Sequence, residues 1–212
     1  PLVPLQNGIP WWYFHKSGGA HDGRTVAAVD PDGAIGRSIA LARVVGAVVY
    51  MSGAVEAPGV VRVTNKGRFL FGEPDGSANA RAQRLVDLFV ASGLPATLTS
   101  EIRTEIWFKL WGNLLFNPLS ALTRAGLADL CRDPQTRALA AAGMRECEAI
   151  AARLGVRMPM DVNKRIDITE ALGNHKTSML QDIEAGRAPE LDALGGAAIE
   201  FARMTGVATP TL

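Results

Sequence analysis

The stretch IWFKLWGNLLFN, residues 106–117, carries the strongest signal in the chain. Because an α-helix advances about 100° per residue, its polar side chains Lys109, Asn113 and Asn117 fall on one narrow stripe. Apolar side chains cover most of the remaining circumference, which is typical of a helix buried in a core. An ammonium group and two amides are costly to bury unless they find partners. The pattern therefore indicates a shared polar cleft along this stripe.

A simpler interpretation is that Lys109 pairs with Glu105, four residues earlier, on a solvated edge. The two asparagines favour a binding site instead, because amides are poor helix formers. The set suits a small, oxygen-rich ligand: Lys109 could protonate a developing alkoxide, and the amides of Asn113 and Asn117 could donate to carboxylate or hydroxyl oxygens. Pro118 is expected to kink the helix and free backbone groups nearby.

The residues before this helix have a different character, rich in Gly, Val and Pro. They contain an amphipathic helix at about Asn79–Ser92 and a hairpin-type turn at Asn65-Lys66-Gly67. Four short segments are predicted to be strands, the last two joined by that turn: Leu2–Leu5, Val44–Met51, Val60–Thr64 and Arg68–Phe71.

From Thr99 onward the sequence predicts helices and no strand. Helices end near glycines that suit the C′ position, as at Gly155 and Gly206. The change in composition and predicted secondary structure near residue 98 predicts two domains, residues 1–97 and 98–212. The predicted helices of the second are about Glu101–Thr123, Pro134–Leu154, Met160–Leu172, Ser178–Ala185 and Glu190–Thr205.

The front half contains no G-x-G-x-x-G motif between a strand and a helix, so it lacks the glycine fingerprint of a dinucleotide-binding unit. The front half has few strands, and its first residues already lie within a strand-like pattern. It is therefore expected to be the rear portion of a longer α/β domain.

Composition excludes several function classes. The chain has 212 residues, with 22 Lys and Arg against 21 Asp and Glu, so neither a nucleic-acid surface nor a polybasic membrane surface is expected. No apolar run is long enough to cross a bilayer and the N-terminus has no signal-type core, which favours the cytoplasm. The two cysteines are expected to be buried thiols, and the three histidines lack metal-ligand spacing, so no metal is expected.

A second polar cluster lies at residues 175–182, HKTSMLQD. Ser178 followed by Gln181 forms a capping-box pattern, and the simpler interpretation is a well-capped helix. The functional interpretation is that a hydroxyl at a helix N-terminus attracts a carboxylate. Glu190 opens the next predicted helix, where an acid usually stabilises the helix dipole.

Three separated stretches together resemble the ketopantoate reductase (2-dehydropantoate 2-reductase) family. They are LQNG at residues 5–8, WFKLWGNLLFNPLSALT at 107–123, and HKTSMLQD at 175–182 with Glu190. The resemblance extends over essentially the whole chain. It implies an α/β plus all-α fold: a partial Rossmann NADP-binding domain (1–97), followed by a helical substrate and catalytic domain (98–212) of the 6-phosphogluconate dehydrogenase C-terminal-like kind.

The resemblance also implies an activity, the NADPH-dependent reduction of 2-dehydropantoate to pantoate in pantothenate and coenzyme A biosynthesis, with NADP(H) as cofactor and a homodimer as the assembly. Lys109 would be the general acid that protonates the carbonyl oxygen. Asn113 and Asn117 would hold the substrate, and Ser178 its carboxylate end.

Two further roles follow from the resemblance. Glu190 would orient the substrate hydroxyl as a catalytic residue and also lie close to the nicotinamide ribose. Asn7 would sit near the nicotinamide.

Two departures from the family pattern keep alternatives open. The chain as given, without the glycine fingerprint, is expected to bind NADPH weakly or not at all. Residues 125–128 offer no polar side chain where the family often places a substrate contact, so another branched 2-keto acid is an alternative substrate. A second alternative, a non-catalytic helical binding or assembly module, is suggested by the aromatic residues 11–14 and the short front half. A third is a different hydroxyacid dehydrogenase.

Overall fold

The structure is a computed structural model that describes residues 1–65 and 67–212, apart from the side chains of residues 54, 64 and 65. It divides into two compact units, which are considered separately. Unit 1 comprises Pro1–Val26 and Asp30–Glu105, and unit 2 comprises Ala27–Val29 and Ile106–Leu212.

Unit 1 begins with irregular chain, two 3₁₀ turns (Gly19–His21 and Leu41–Arg43) and a short helix, α1 (Ala34–Ser38). Five strands and one longer helix follow: β1 (Gly46–Val49), β2 (Ser52–Ala57), β3 (Val60–Asn65), β4 (Phe69–Gly72), α2 (Ala80–Ala91) and β5 (Ala96–Leu98). The predicted strand at Leu2–Leu5 is present only as a single parallel bridge between Leu2 and Val44.

Strands β1, β4 and β5 form one sheet in that order. Strand β4 is antiparallel to β1 and parallel to β5, and α2 makes the crossover between the parallel pair. The buried side chains of Phe69, Phe71 and Val86 form the core between this sheet and α2. Asn79 caps α2 by accepting a hydrogen bond from the Ala82 N–H at 3.1 Å, so the predicted helix is confirmed.

The predicted hairpin between residues 60–64 and 68–71 is wrong. Strand β3 pairs with β2 in a separate two-stranded ribbon, and β4 joins the sheet instead. The turn proposed for that hairpin includes Lys66, which lies outside the described residues. Burial explains the choice of partner: β4 is buried along its length, whereas Val61 and Val63 of β3 are exposed. A strand that is apolar on both faces is typical of the interior of a covered sheet.

The helices of unit 2 follow α3 (Ile102–Thr123), whose first turn belongs to unit 1. They are α4 (Leu127–Arg132), α5 (Pro134–Arg153), α6 (Val162–Ala171), α7 (Ser178–Glu184) and α8 (Ala197–Thr205). The last predicted helix differs from the observed one, because a π-helical turn at Asp192–Gly196 precedes α8. Its two C-terminal glycines, Gly195 and Gly196, weaken the α-helical preference there.

Much of helix α3 is buried in unit 2. The rings of Trp107, Trp111 and Phe116 are buried, and the Trp111 indole donates to the Met144 carbonyl on α5 at 2.7 Å. At Gly143 of α5, an added Cβ would come within 2.4 Å of Leu115, so the two helices approach closely. Among the described residues no helix combines the length and apolar character needed to span a membrane.

Candidate active site

The polar stripe predicted on α3 lies on the surface of this buried helix. Lys109 and Asn113 are partly exposed, whereas Asn117 is only 7% exposed. Neither asparagine side chain makes a hydrogen bond to any residue that the structure describes. The two amides are therefore available to a ligand.

Lys109 has an altered acidity. Burial disfavours its charged form and lowers the pKa of the ammonium group from 10.5 to about 8, while the nearby negative charge of Glu190 works in the opposite direction. The structure thus places the Glu190 carboxylate close enough to the Lys109 ammonium group for their charges to interact. A pKa close to neutrality is the property expected of a general acid, which must both hold and release its proton.

Glu105, the alternative partner considered for Lys109, has a different environment. Burial raises the pKa of the Glu105 carboxyl, and the charge that opposes this effect is that of Arg68. The simple pairing between Lys109 and Glu105 on a solvated edge is therefore not what the electrostatics of the structure supports.

Glu190 lies between α7 and the π-helical turn that precedes α8, and its side chain is exposed. In the turn, the Ala197 N–H donates to the Asp192 carbonyl five residues back. Single π-helical turns in proteins frequently accompany functional sites.

Ser178 is the first residue of α7, but it is not the cap that the capping-box pattern predicted. The N-cap is Thr177, whose hydroxyl accepts from the Leu180 N–H at 3.3 Å, and the Gln181 side chain donates to the Lys176 carbonyl at 2.9 Å. The one-residue shift leaves the Ser178 hydroxyl exposed and without a partner among the described residues. It can therefore donate to a ligand oxygen.

Asn7 belongs to unit 1. It lies in a bend and is followed by Gly8, whose positive φ of 75° suits glycine. The side chain of Asn7 is partly buried. Its predicted role near a nicotinamide ring stays a prediction.

The structure adds one residue that the sequence did not suggest. The Arg165 guanidinium of α6 lies over the Phe108 ring, 4.9 Å from its centre, and it donates to Thr169 at 2.6 Å. An added Cβ at Gly112 would come within 2.8 Å of this guanidinium, so Arg165 packs directly against the helix that carries the stripe. Periodicity in one helix cannot reveal such a partner on another.

A cavity of about 340 Å³ in unit 1 is lined by none of the predicted site residues. Its most buried charge, the Glu73 carboxylate, is held by Arg81, and Asp75 pairs with Lys16 at 2.9 Å. No group of three or more His, Cys, Asp or Glu side chains arranged to hold a metal ion occurs in residues 1–65 and 67–212.

The family model "Ketopantoate reductase PanE/ApbA C terminal" matches residues 101–212. A curated 2-dehydropantoate 2-reductase from Mesorhizobium japonicum is 49% identical over 211 residues, an alignment that covers all of this chain and 65% of the relative. The chain thus spans about two thirds of the length of that protein.

Two solved structures agree in fold. A structure described as a ketopantoate reductase from Ralstonia solanacearum superposes with a TM-score of 0.93 at 39% identity, covering 99% of this chain and 64% of that one. The 2-dehydropantoate 2-reductase of Methylococcus capsulatus gives 0.79 at 30% identity, covering 99% and 61%. The predicted fold class, a Rossmann-type sheet portion followed by a helical C-terminal domain, is confirmed. With the family model matching more than half of its residues, the chain belongs to the ketopantoate reductase family.

Proposed function

We propose that this protein is a 2-dehydropantoate 2-reductase that uses NADPH to reduce the keto group of 2-dehydropantoate to the hydroxyl group of pantoate. The observation that carries the proposal is the stripe on α3, where Lys109 with a pKa of about 8 lies beside two unpaired amides and within reach of Glu190. Family membership supplies the reaction class, and the names of the relatives supply the substrate.

Reduction of a ketone requires a hydride at the carbonyl carbon and a proton at the carbonyl oxygen. NADPH, when bound, supplies the hydride. In the proposal, the Lys109 ammonium hydrogen-bonds to the carbonyl oxygen and gives up its proton as negative charge develops there. Burial lowers the pKa of Lys109 and so makes it a stronger acid than an exposed lysine.

The remaining unit 2 residues hold the substrate. The amides of Asn113 and Asn117 donate hydrogen bonds to substrate oxygens, and the exposed Ser178 hydroxyl donates to the carboxylate end. The Glu190 carboxylate accepts from the substrate hydroxyl, which fixes the carbonyl relative to Lys109.

The proposed cofactor-binding groups of this chain are Asn7 and Glu190. The Glu190 carboxylate can accept hydrogen bonds from the hydroxyls of the nicotinamide ribose, and the Asn7 amide can donate to or accept from the nicotinamide. A preference for NADPH, a cytoplasmic location, a homodimer and the domain assignment (1–97 and 98–212) are parts of the same proposal.

The proposal is tested by measuring NADPH consumption by the intact protein with 2-dehydropantoate and a panel of other 2-keto acids. Lys109→Ala is expected to lower kcat about 10²–10⁴-fold, the usual contribution of a general acid. Lys164→Ala, which removes an exposed lysine on α6, is the matched control and is expected to retain full activity. Turnover by Lys109→Ala within a few-fold of wild type would exclude Lys109 as the acid, and preferred turnover of another keto acid would replace the substrate.

A further inference from the structure

The N-terminus of α4 is capped by residues that lie more than forty positions later in the chain. Its own N-cap residue, Gly126, has no side chain that could make a capping bond. Instead, the Leu127 N–H donates to the His175 carbonyl at 3.0 Å, and the Asp129 N–H donates to the Asn174 side-chain oxygen at 3.3 Å. Two of the backbone N–H groups that a helix start leaves unpaired are thus satisfied by the segment before α7.

Asn174 makes a second bond in the opposite direction. Its side-chain NH₂ group donates to the Asp129 carboxylate at 2.7 Å, so one amide both accepts from and donates to the same residue. Space for this amide depends on Gly126, because an added Cβ at that position would come within 2.1 Å of the Asn174 oxygen. We call this arrangement of Gly126, Asp129 and Asn174 the α4 latch.

We propose that the α4 latch is a positioning device for substrate binding, with Asn174 holding the segment that presents the Ser178 hydroxyl. This inference rests on the proposed function, in which Ser178 binds the substrate carboxylate. Asn174 itself contacts no substrate in the proposal and acts only through the backbone that follows it.

Asn174 and Ser178 lie close together along the chain. Only three residues separate Asn174 from Ser178, and one of them, His175, contributes its carbonyl to α4. Residues 171–176 are exposed, so little apolar packing holds this segment, and hydrogen bonds fix it: those of the latch at one end and those of Lys176 to Gln181 and Glu184 at the other. Without the latch, the segment gains conformational freedom that substrate binding must remove again.

The position of Ser178 affects binding of the substrate in both its ground and transition states. When a change weakens binding of the ground state and the transition state equally, KM rises and kcat stays nearly unchanged. We expect Asn174→Ala to raise KM for 2-dehydropantoate about tenfold, comparable to the loss of one hydrogen bond, with kcat within about twofold of wild type.

The matched control is Asp161→Ala, which removes the N-cap of α6 in the same unit. The Asp161 side chain accepts from the Lys164 N–H at 3.1 Å and is exposed. Loss of either cap should lower the melting temperature to a similar extent. A merely structural role for Asn174 therefore predicts the same kinetics for both variants, whereas a positioning role predicts a KM increase in Asn174→Ala alone.

A pair exchange separates loss of the latch from other effects. Asn174→Asp removes the donor and places two carboxylates together, so KM should rise. Combining it with Asp129→Asn restores one donor and one acceptor in reversed order, and KM should return to within about twofold of wild type. Amide hydrogen exchange at residues 127, 129 and 173–178 gives a readout independent of turnover, with faster exchange expected in Asn174→Ala than in Asp161→Ala.

Wild-type turnover is measured first, because its absence would overturn the proposed function itself. If the wild type is active and Asn174→Ala matches Asp161→Ala in KM, or if the pair exchange fails to restore KM, the positioning role is overturned while the proposed function stands.

Discussion

The acidity of Lys109 gives the sharpest test of the mechanism. With a pKa of about 8, the ammonium group is about nine-tenths protonated at pH 7 and about one-tenth protonated at pH 9. Since the proposed general acid must carry its proton, kcat/KM for reduction should fall on the alkaline side, with a midpoint near pH 8. A lysine of ordinary pKa would hold its activity to about pH 10.

Glu190 sets part of this midpoint. Its negative charge favours the charged ammonium and raises the pKa of Lys109, in opposition to burial. Glu190→Gln removes that charge and keeps a side chain of similar size, so the pKa of Lys109 should fall further. A nearby opposite charge favours the charged form of a titratable group, so the alkaline midpoint should move below about 8 when that charge is removed.

The assay is the initial rate of NADPH oxidation with 2-dehydropantoate between pH 6 and 10. Glu190→Gln will also lower the plateau, because Glu190 is proposed to orient the substrate, so the midpoint is the quantity compared. Glu148→Gln, which neutralises a partly exposed acid on α5, is the control and should leave the midpoint in place. An alkaline midpoint that stays fixed or moves upward in Glu190→Gln would refute the assigned coupling.

Two further predictions concern stability and reactivity. Lys109→Met should raise the free energy of unfolding at pH 7 by about 1–2 kcal/mol, because burial of the ammonium group is unfavourable. The stability of the wild type rises between pH 8 and 10.5, because the unfolded chain binds more protons than the folded one in that range. Urea unfolding should therefore show that the difference between the two proteins disappears above pH 10.5. Equal stability at pH 7 would mean that Lys109 is well solvated. Burial raises the pKa of the Cys131 thiol to about 11 and that of Cys147 further, so an alkylating reagent at pH 7.5 should modify neither cysteine until the protein is unfolded; rapid labelling of the native protein would contradict their burial.

The parts of the fold that depend on local sequence were predictable. The four-residue spacing of Lys109, Asn113 and Asn117 determines that they share a helix face wherever that helix lies. Likewise the amphipathic helix predicted at about Asn79–Ser92 agrees with α2, which Asn79 caps. Both conclusions need only the geometry of one helix.

Pairings between distant segments were not predictable in the same way. A turn-like sequence at residues 65–67 favoured a hairpin, yet burial of β4 placed it between β1 and β5. Helix α4 has only six residues, too few to show a period, and its capping partner Asn174 is 45 positions away from Asp129. The cap of α7 was wrong by one residue because Thr177 and Ser178 carry equivalent hydroxyls.

The close approach of α5 to α3 has a consequence for how the chain can vary. Alanine would ordinarily be preferred over glycine inside a helix by about 1 kcal/mol, but at Gly143 the extra methyl group would collide with Leu115. Leu115 lies on α3 between Asn113 and Asn117, so the collision would press on the helix turn from which both amides project. A larger residue at position 143 therefore favours a shorter side chain at position 115, and the two positions should change together during directed evolution.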